Sequence, residues 1–407
     1  MAAHPDRRLR VMSVAHTAVS HAAGRLRYQP LADDPALEVT LVVPQRFYQF
    51  GRWLTADPPG VSRVTVVALP VLLPRGGPAS WYLHTYRGLR HQVGMVRPDV
   101  IHLWEEPWSL VALQASRLAR RVGAALVLEV DQNISKRLPP PFEAIRRHVL
   151  SRTTLVLSRS PDATAVVRAG GFAGPALPIG YGVDEAVFRP DFTASAAMRI
   201  PGAPLRLGYV GRLVEEKGLD DVLSALEQTP AAMLSLMGEG PHEPALRARV
   251  AVAGLDGRVT FQPWGTPLDV AAFMRAQDAM VLPTRTTAAV KEQFGRVIIE
   301  AQACGTPVIG STCGAIPDVI GRGGWIVPER DPAALAVLLA QLAAAPADRT
   351  TRAMAGLENV AARFTYAAVA GALGQAWRQA AWQHALTAGP VSRTRSGPAV
   401  IDEGEAP

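Results

Sequence analysis

Cysteine is almost absent from this 407-residue chain: only Cys304 and Cys313 occur, too few for a disulfide framework and in keeping with a reducing compartment. Both stand beside glycine-containing turns, where small packed residues are expected rather than reactive thiols. Long apolar runs are missing too. The most apolar helical stretch, Ala333 to Ala345, has 13 residues and contains Gln341, short of the ~18 that a membrane span needs. Near the start, Arg7, Arg8 and Arg10 precede only Val11 to Ala15, too short an apolar run for a signal peptide, so a cytoplasmic protein is expected. No basic run interleaves with aromatics, which argues against a nucleic-acid partner. There is no short-period repeat, and arginine stands in for lysine throughout.

The chain exceeds the size at which a single core keeps growing, and its 48% hydrophobic content supports two cores. The net charge of +7 is uneven: residues 1–195 carry 23 Lys+Arg against 15 Asp+Glu, or +8, and the remainder carries 19 against 20, or −1. In the first half Arg87, Arg90 and Arg97, then Arg117, Arg120 and Arg121, then Arg146 and Arg147 accompany helical patterns. They form either a well-solvated face or a surface for anionic lipid headgroups or a phosphate-bearing ligand.

Short β-branched runs alternate with helical periodicity. Leu9–Ala15, Val39–Val43, Val64–Leu69, Val100–Trp104 and Ala125–Val130 read as strands, with helices over Trp81–Val96 and Trp108–Val122 and another from Glu143. Strand patterns begin again at Leu205–Gly211, Met233–Met237, Arg258–Gln262, Asp278–Pro283 and Pro307–Gly310. Two doubly wound parallel sheets follow, each binding ligands beyond its strand ends. The predicted boundaries are 1–190 for the first domain, 191–204 for a linker, 205–365 for the second domain, 366–386 for a closing helix and 387–407 for a disordered tail.

Gly208-Tyr-Val-Gly211-Arg212 ends a strand in a glycine turn, and Lys217-Gly218 opens the next helix. The glycines admit a phosphate to the backbone, Arg212 offers a guanidinium fork and Lys217 a movable charge. Further on, seven residues separate Glu292 from Glu300. On one straight helix their carboxylates would diverge by roughly 80° and lie about 12 Å apart along the axis. If the helix instead starts at Phe294 or Gly295, its free N–H groups lie between the two carboxylates, a site built for a phosphate.

The stretch KEQFGRVIIEAQACGTPVIGSTCGAIPDVIG (Lys291 to Gly321) resembles the signature of the family 4 retaining glycosyltransferases of the GT-B fold. LGYVGRLVEEKGLDDVL (Leu207 to Leu223) resembles that family's diphosphate loop, and GYGVDEAVFRP (Gly180 to Pro190) its interdomain linker. The resemblance implies two Rossmann-like domains facing across a cleft, with a last helix about Tyr366 to Ala385 crossing back to the first. It implies a retaining, metal-independent transferase that moves a sugar from a UDP- or GDP-sugar to an acceptor hydroxyl on a glycan, glycolipid or small molecule in glycoconjugate synthesis. No cofactor is implied, and no Asp-x-Asp metal loop is seen.

Carried over residue by residue, Arg212 and Lys217 serve the departing diphosphate, Glu292 lies near the transferred sugar and Glu300 binds the ribose. Gly211, Gly238, Glu239, Phe294, Gly295, Arg296 and Val297 approach the nucleotide, with Trp264 near the base or in the core. On the acceptor side the sequence departs from the family. Its Gly-Gly loop is replaced by HTAVSHAAGRL, with only Gly24 and with His16 and His21 nearby. Its Thr-x-His is replaced by Glu129-Val-Asp131-Gln132-Asn133, so Asp131 or Asn133 is the expected substitute or else a helix cap. His102-Leu-Trp104-Glu105-Glu106-Pro-Trp108 puts aromatics and carboxylates at another strand end, expected either to receive a sugar acceptor or to serve as core and cap. A nucleotide-sugar epimerase or a non-catalytic nucleotide-sugar-binding protein of the same fold remain as alternatives.

If the basic half meets an anionic surface, the protein pellets with anionic vesicles at low salt and is released as the Debye length falls from about 10 Å at 0.1 M to about 3 Å at 1 M. Replacing Arg117, Arg120 and Arg121 with Gln weakens that pelleting. Absence of pelleting at the lower salt identifies a solvated face.

Overall fold

The computed structural model describes residues 7–20, 24–49, 52–58, 63–74, 82–191 and 203–387. His21, residues 192–202 of the connector and residues 388–407 of the expected tail lie outside the described residues. The first sheet has seven parallel strands: β1 (Leu9–Ala15), β2 (Leu37–Pro44), β3 (Thr65–Leu69), β4 (Val100–Trp104), β5 (Ala125–Val130), β6 (Leu155–Ser158) and β7 (Ala176–Pro178). Their spatial order is β3-β2-β1-β4-β5-β6-β7. The second has six: β8 (Leu205–Val210), β9 (Ala232–Met237), β10 (Val259–Gln262), β11 (Ala279–Leu282), β12 (Val308–Ser311) and β13 (Gly324–Val327), in the order β10-β9-β8-β11-β12-β13. In each sheet the order reverses beside the first strand, so the crevice for a ligand opens at the carboxyl ends next to β1 and β8.

The first sheet is buried on both faces, which is why its strands are apolar at nearly every position. Met12, Val14, Ile101 and Leu103 point to one face, against the helix Leu110–Val122. Val11, Ala15, Val100 and Trp104 point to the other, with the period of two that a pleated strand imposes. That second face is covered by the last helix, Tyr366–Thr387, which returns from the second domain and buries Val369, Leu373 and Trp377 against the first sheet.

Several helix boundaries differ from those expected. The helical pattern over Trp81–Val96 is not one helix: among the described residues Tyr82 and Leu83 are helical, Thr85–Tyr86 pairs as a short strand with Val71–Leu72, and Gly88 at φ +83° precedes the helix Leu89–Val96. Ser109 caps the next helix by accepting from the Ala112 N–H, so that helix starts at Leu110 rather than Trp108. The helix expected from Glu143 begins at Pro140, where proline's fixed φ suits the first turn. Strands β6, β7 and β13 were not anticipated, nor was the hairpin Arg46–Gln49 with Arg52–Thr55.

Trp377 is fully buried and packs at 5.5 Å from the His102 ring. Trp377→Ala should therefore destabilise the first domain by about 3–5 kcal/mol in denaturant unfolding, the range for emptying a large aromatic site. A loss under about 1 kcal/mol would show that the returning helix is not part of that core.

Candidate active site

The chain leaves β8 at Gly211, where the neighbouring loop passes so close that a Cβ at Gly238 would lie 1.9 Å from the Gly211 carbonyl oxygen. Glycine at 238 is what lets the loops after β8 and β9 pack at the sheet's edge. Arg212 follows with its side chain 74% exposed, its nearest carboxylate Glu216 at 3.8 Å. The tight turn Glu215–Lys217 brings Lys217 inward, and its Nζ lies 2.6 Å from Glu292 Oε2. Thr284 Oγ1 donates to the same oxygen at 3.2 Å.

Glu292 sits in a loop, the second of the two arrangements that the spacing to Glu300 left open. Gly314, at φ +57°, allows this loop to pass, since a Cβ there would lie 2.2 Å from the Glu292 carbonyl oxygen. That oxygen accepts from the Ala315 N–H, and the Glu292 N–H donates to Cys313 Sγ at 3.4 Å. The helix runs from Arg296 to Ala303 with Gly295 as its N-cap, so it starts one residue past the expected position. In its first turn the Ile298 N–H donates to the Gly295 carbonyl at 2.9 Å, whereas the N–H groups of Arg296 and Val297 precede any intrahelical acceptor. Phe294 turns away from this edge into the core, edge-on to Tyr181 at 5.1 Å and Phe364 at 5.5 Å. Glu300 lies in the second turn, 3.5 Å from the Arg296 guanidinium. Burial raises its carboxyl above the usual range, and Arg296 holds it back in part. Trp264 is 55% exposed and not part of the core.

The facing wall belongs to the first sheet. Glu129, at the end of β5, is fully buried and takes two hydrogen bonds from Arg27, at 2.6 and 2.7 Å. Arg159 and His102 complete its shell. Burial alone would raise the Glu129 carboxyl, but Arg159 and Arg27 outweigh it and hold the pKa far below the ordinary range. The two guanidiniums also flank the Trp104 ring, at 4.4 and 4.8 Å from its centroid. A small cavity between the domains is lined by Gly24, Arg27, Trp104, Tyr181, Arg296 and Tyr366.

Asp131 is engaged by its own domain and the linker: it accepts from Trp104 Nε1 at 3.0 Å, Arg159 Nε at 2.7 Å and the Tyr181 hydroxyl at 3.0 Å. Asn133 reaches across the cleft instead, donating from Nδ2 to the carbonyls of Lys291 (3.2 Å) and Glu292 (2.9 Å). Beside it Lys291 pairs with Asp162 at 2.7 Å. Trp104 and Trp108 are buried, with indole N–H groups bonded to Asp131 and Gln132, so neither is an open platform for a sugar. His16 and Glu105 meet, His16 Nδ1 lying 2.8 Å from Glu105 Oε2.

Against known families, residues 204–345 match the model described as glycosyl transferases group 1. The whole two-domain arrangement matches sucrose-phosphate synthase from Thermosynechococcus elongatus, with TM-score 0.67 and 22% identity over 91% of this chain and 99% of that one. Anabaena HepE in complex with UDP matches with TM-score 0.66 and 15% identity, over 91% and 100%. The chain has the GT-B fold, and its residues 204–345 are similar to the group 1 glycosyl transferases. Among curated relatives, the GT-B chain is 28% identical over 264 residues to the 2-deoxystreptamine N-acetyl-D-glucosaminyltransferase of Streptomyces fradiae, covering 59% of this chain and 61% of that protein. It is 27% identical over 252 residues to the D-inositol 3-phosphate glycosyltransferase of Mycobacterium bovis, covering 59% and 49%. The matched stretch thus spans 61% and 49% of these relatives' own length.

Sequence reading missed Thr284, Asp162, Arg159 and Tyr181, each of which touches a singled-out residue only through the fold. Glu106, the second carboxylate expected at this strand end, accepts through Oε1 from the Asp131 and Gln132 N–H groups at 2.8 Å each. Burial, then the nearby Asp131 charge, push the Glu106 carboxyl up to about 8. Such a group binds its proton more tightly folded than unfolded, so its contribution is full below about pH 4.5 and is lost as pH rises towards about 8. Glu106→Gln keeps the acceptor oxygen and replaces the O–H donor of the protonated carboxyl with an amide N–H, without the charge. The variant's Tm at pH 9 should exceed that of the parent by at least about 2 °C, with the gap closing at pH 5. A gap independent of pH would rule out titration of Glu106 as the cause.

Proposed function

We propose that this GT-B protein is a retaining glycosyltransferase that moves a sugar from a nucleoside diphosphate sugar to an acceptor hydroxyl, with side-chain cations rather than a metal ion serving the diphosphate. The observation that carries the reading is the convergence of Lys217, Glu292 and Thr284 beside the first turn of the Glu300 helix. A leaving diphosphate gains negative charge as the sugar bond breaks. Lys217 and Arg212 lie at the sheet edge to receive it, together with the N–H groups of Arg296 and Val297. Both contacts to Glu292 fall on Oε2, which leaves Oε1 for a hydroxyl of the transferred sugar. Glu300, largely buried at the far side of that first turn, suits the ribose hydroxyls.

A UDP-sugar donor is supported by the solved HepE complexes with UDP and with UDP-glucose. A small-molecule acceptor is supported by the curated relatives, whose names carry 2-deoxystreptamine and D-inositol 3-phosphate. Among the described residues no helix is long and apolar enough to cross a membrane. The exposure of Arg117, Arg120 and Arg121 supports peripheral contact with an anionic surface.

Charge-assisted hydrogen bonds of about 1.5–3 kcal/mol each correspond to roughly tenfold to more than a hundredfold in rate. Arg212→Ala and Lys217→Ala should each lower turnover of UDP-sugar at least about tenfold, with the fold intact by circular dichroism. An α-linked donor should yield an α-glycoside by NMR, at a rate indifferent to added Mg²⁺. Near-normal turnover in either variant removes that residue from the mechanism, and a β-linked product refutes retention.

A further inference from the structure

Three side chains that the sequence keeps far apart converge at the carboxyl edge of the first sheet. His16 follows β1, Glu105 follows β4, and His84 precedes the short strand Thr85–Tyr86. His16 Nδ1 lies 2.8 Å and His84 Nε2 3.3 Å from the same carboxylate oxygen, Glu105 Oε2. The three ligand atoms all fall within 4.8 Å of one another. Glu105 Oε1 accepts from the Glu106 N–H at 3.1 Å, which fixes which oxygen faces the imidazoles. Phe47 packs against both rings, at 5.1 Å from His16 and 5.6 Å from His84. The cluster has an inner and an outer side: the His84 side chain is 1% exposed, that of Glu105 8% and that of His16 14%.

Two imidazole nitrogens and one carboxylate oxygen, preset by packing and by a backbone hydrogen bond, form the donor set of a three-ligand metal centre. Around a tetrahedral ion with bonds of about 2.0–2.2 Å, donor atoms stand about 3.3–3.6 Å apart. The 3.3 Å His84–Glu105 contact already has that spacing, the 2.8 Å His16–Glu105 contact has to open, and the two imidazole nitrogens, within 4.8 Å of each other, adjust by rotation of the more exposed His16 ring. The nitrogen content selects the ion. Mg²⁺ and Ca²⁺ seek oxygen ligands, whereas imidazole suits the first-row divalent ions and zinc in particular.

We infer that His16, His84 and Glu105 form a binding site for a zinc-class divalent ion on the first-domain wall of the cleft, with a coordination position left open on the His16 side. The site is separate from the diphosphate cations of the second domain, and it departs from the metal-free expectation drawn from the scattered histidines. A bound ion ties the loop after β1 to the ends of β4 and the Thr85–Tyr86 strand, and gives the acceptor side a point of fixed positive charge.

The test is a titration of the full chain, stripped with a chelator and dialysed, with ZnCl₂ against a chromophoric competitor. One equivalent is expected to bind, with a rise in Tm, and millimolar Mg²⁺ is expected neither to compete nor to raise Tm. Co²⁺ in place of Zn²⁺ should give the visible absorption of a low-coordinate centre. His16→Ala removes the most exposed ligand with the least disturbance to packing, and Glu105→Gln removes the charge while keeping the shape. Each should weaken Zn²⁺ binding at least about tenfold, whereas His242→Ala, at a surface pair with Asp220, should not. The inference is overturned if the parent binds no stoichiometric Zn²⁺, or if His16→Ala and Glu105→Gln, folded by circular dichroism, bind it as the parent does. Donor and acceptor play no part in this readout, so its outcome is independent of the transferase assignment.

Discussion

A single carboxylate organises the first domain. Glu129 is buried without any contact to water, and a buried charge persists only where opposite charges and hydrogen bonds replace the lost solvent. Arg27 and Arg159 supply that replacement, and in doing so they fix the loop after β1, the end of β5 and the residue after β6 relative to one another. Arg159 passes the constraint on to Asp131, which holds the hydroxyl of Tyr181. Tyr181 lies in the segment that leads to the second domain and packs against Phe294, two residues from Glu292. A continuous set of contacts thus links the floor of one sheet to the loop that presents the other domain's candidate catalytic carboxylate. Removing either arginine would leave a buried charge unpaired, a loss of several kcal/mol where breaking such pairs has been measured.

The charges of the two walls are arranged on different principles. On the first wall they are paired internally and sealed, so their fields are spent on structure. On the second wall Arg212 stays exposed and Lys217 is held by one carboxylate near the surface, a neutralised pair that an incoming diphosphate can reorganise at small cost. Such an arrangement keeps the site ready for an anion without leaving an uncompensated cation in a partly dehydrated crevice.

The alternating pattern announced both sheets though not all of their strands, and the candidate donor side could be read because its residues come in two local segments, Leu207 to Leu223 and Lys291 to Gly321. Their glycines and charges sit within one strand-turn-helix unit each, where spacing fixes geometry. The short strands escaped notice for physical reasons. β6 is a four-residue run with no alternation because both faces are buried, β7 is a three-residue edge strand ending in proline, and β13 opens on glycine. The acceptor side was illegible for another reason. Arg27 and Glu129 lie 102 residues apart, and Ser13 and His102 lie 89 apart, so no local pattern encodes their meeting. The missing family histidine pointed to Asp131 and Asn133 as substitutes, but the fold gives one to the tryptophan and arginine of its own wall and the other to the opposite domain.

The bridge from Asn133 to the Lys291 and Glu292 carbonyls has an asymmetry with practical weight. Its donor is a side chain, and its acceptors are main-chain atoms that any residue would supply along the same loop path. In chimaeras between relatives, an exchanged second domain would bring suitable carbonyls whatever its sequence at those two positions. An exchanged first domain would keep the bridge only if it carried an amide at the same place. Modular swapping is therefore easier in one direction than the other, and a defect in the loop that carries Glu292 can originate in the opposite half of a hybrid.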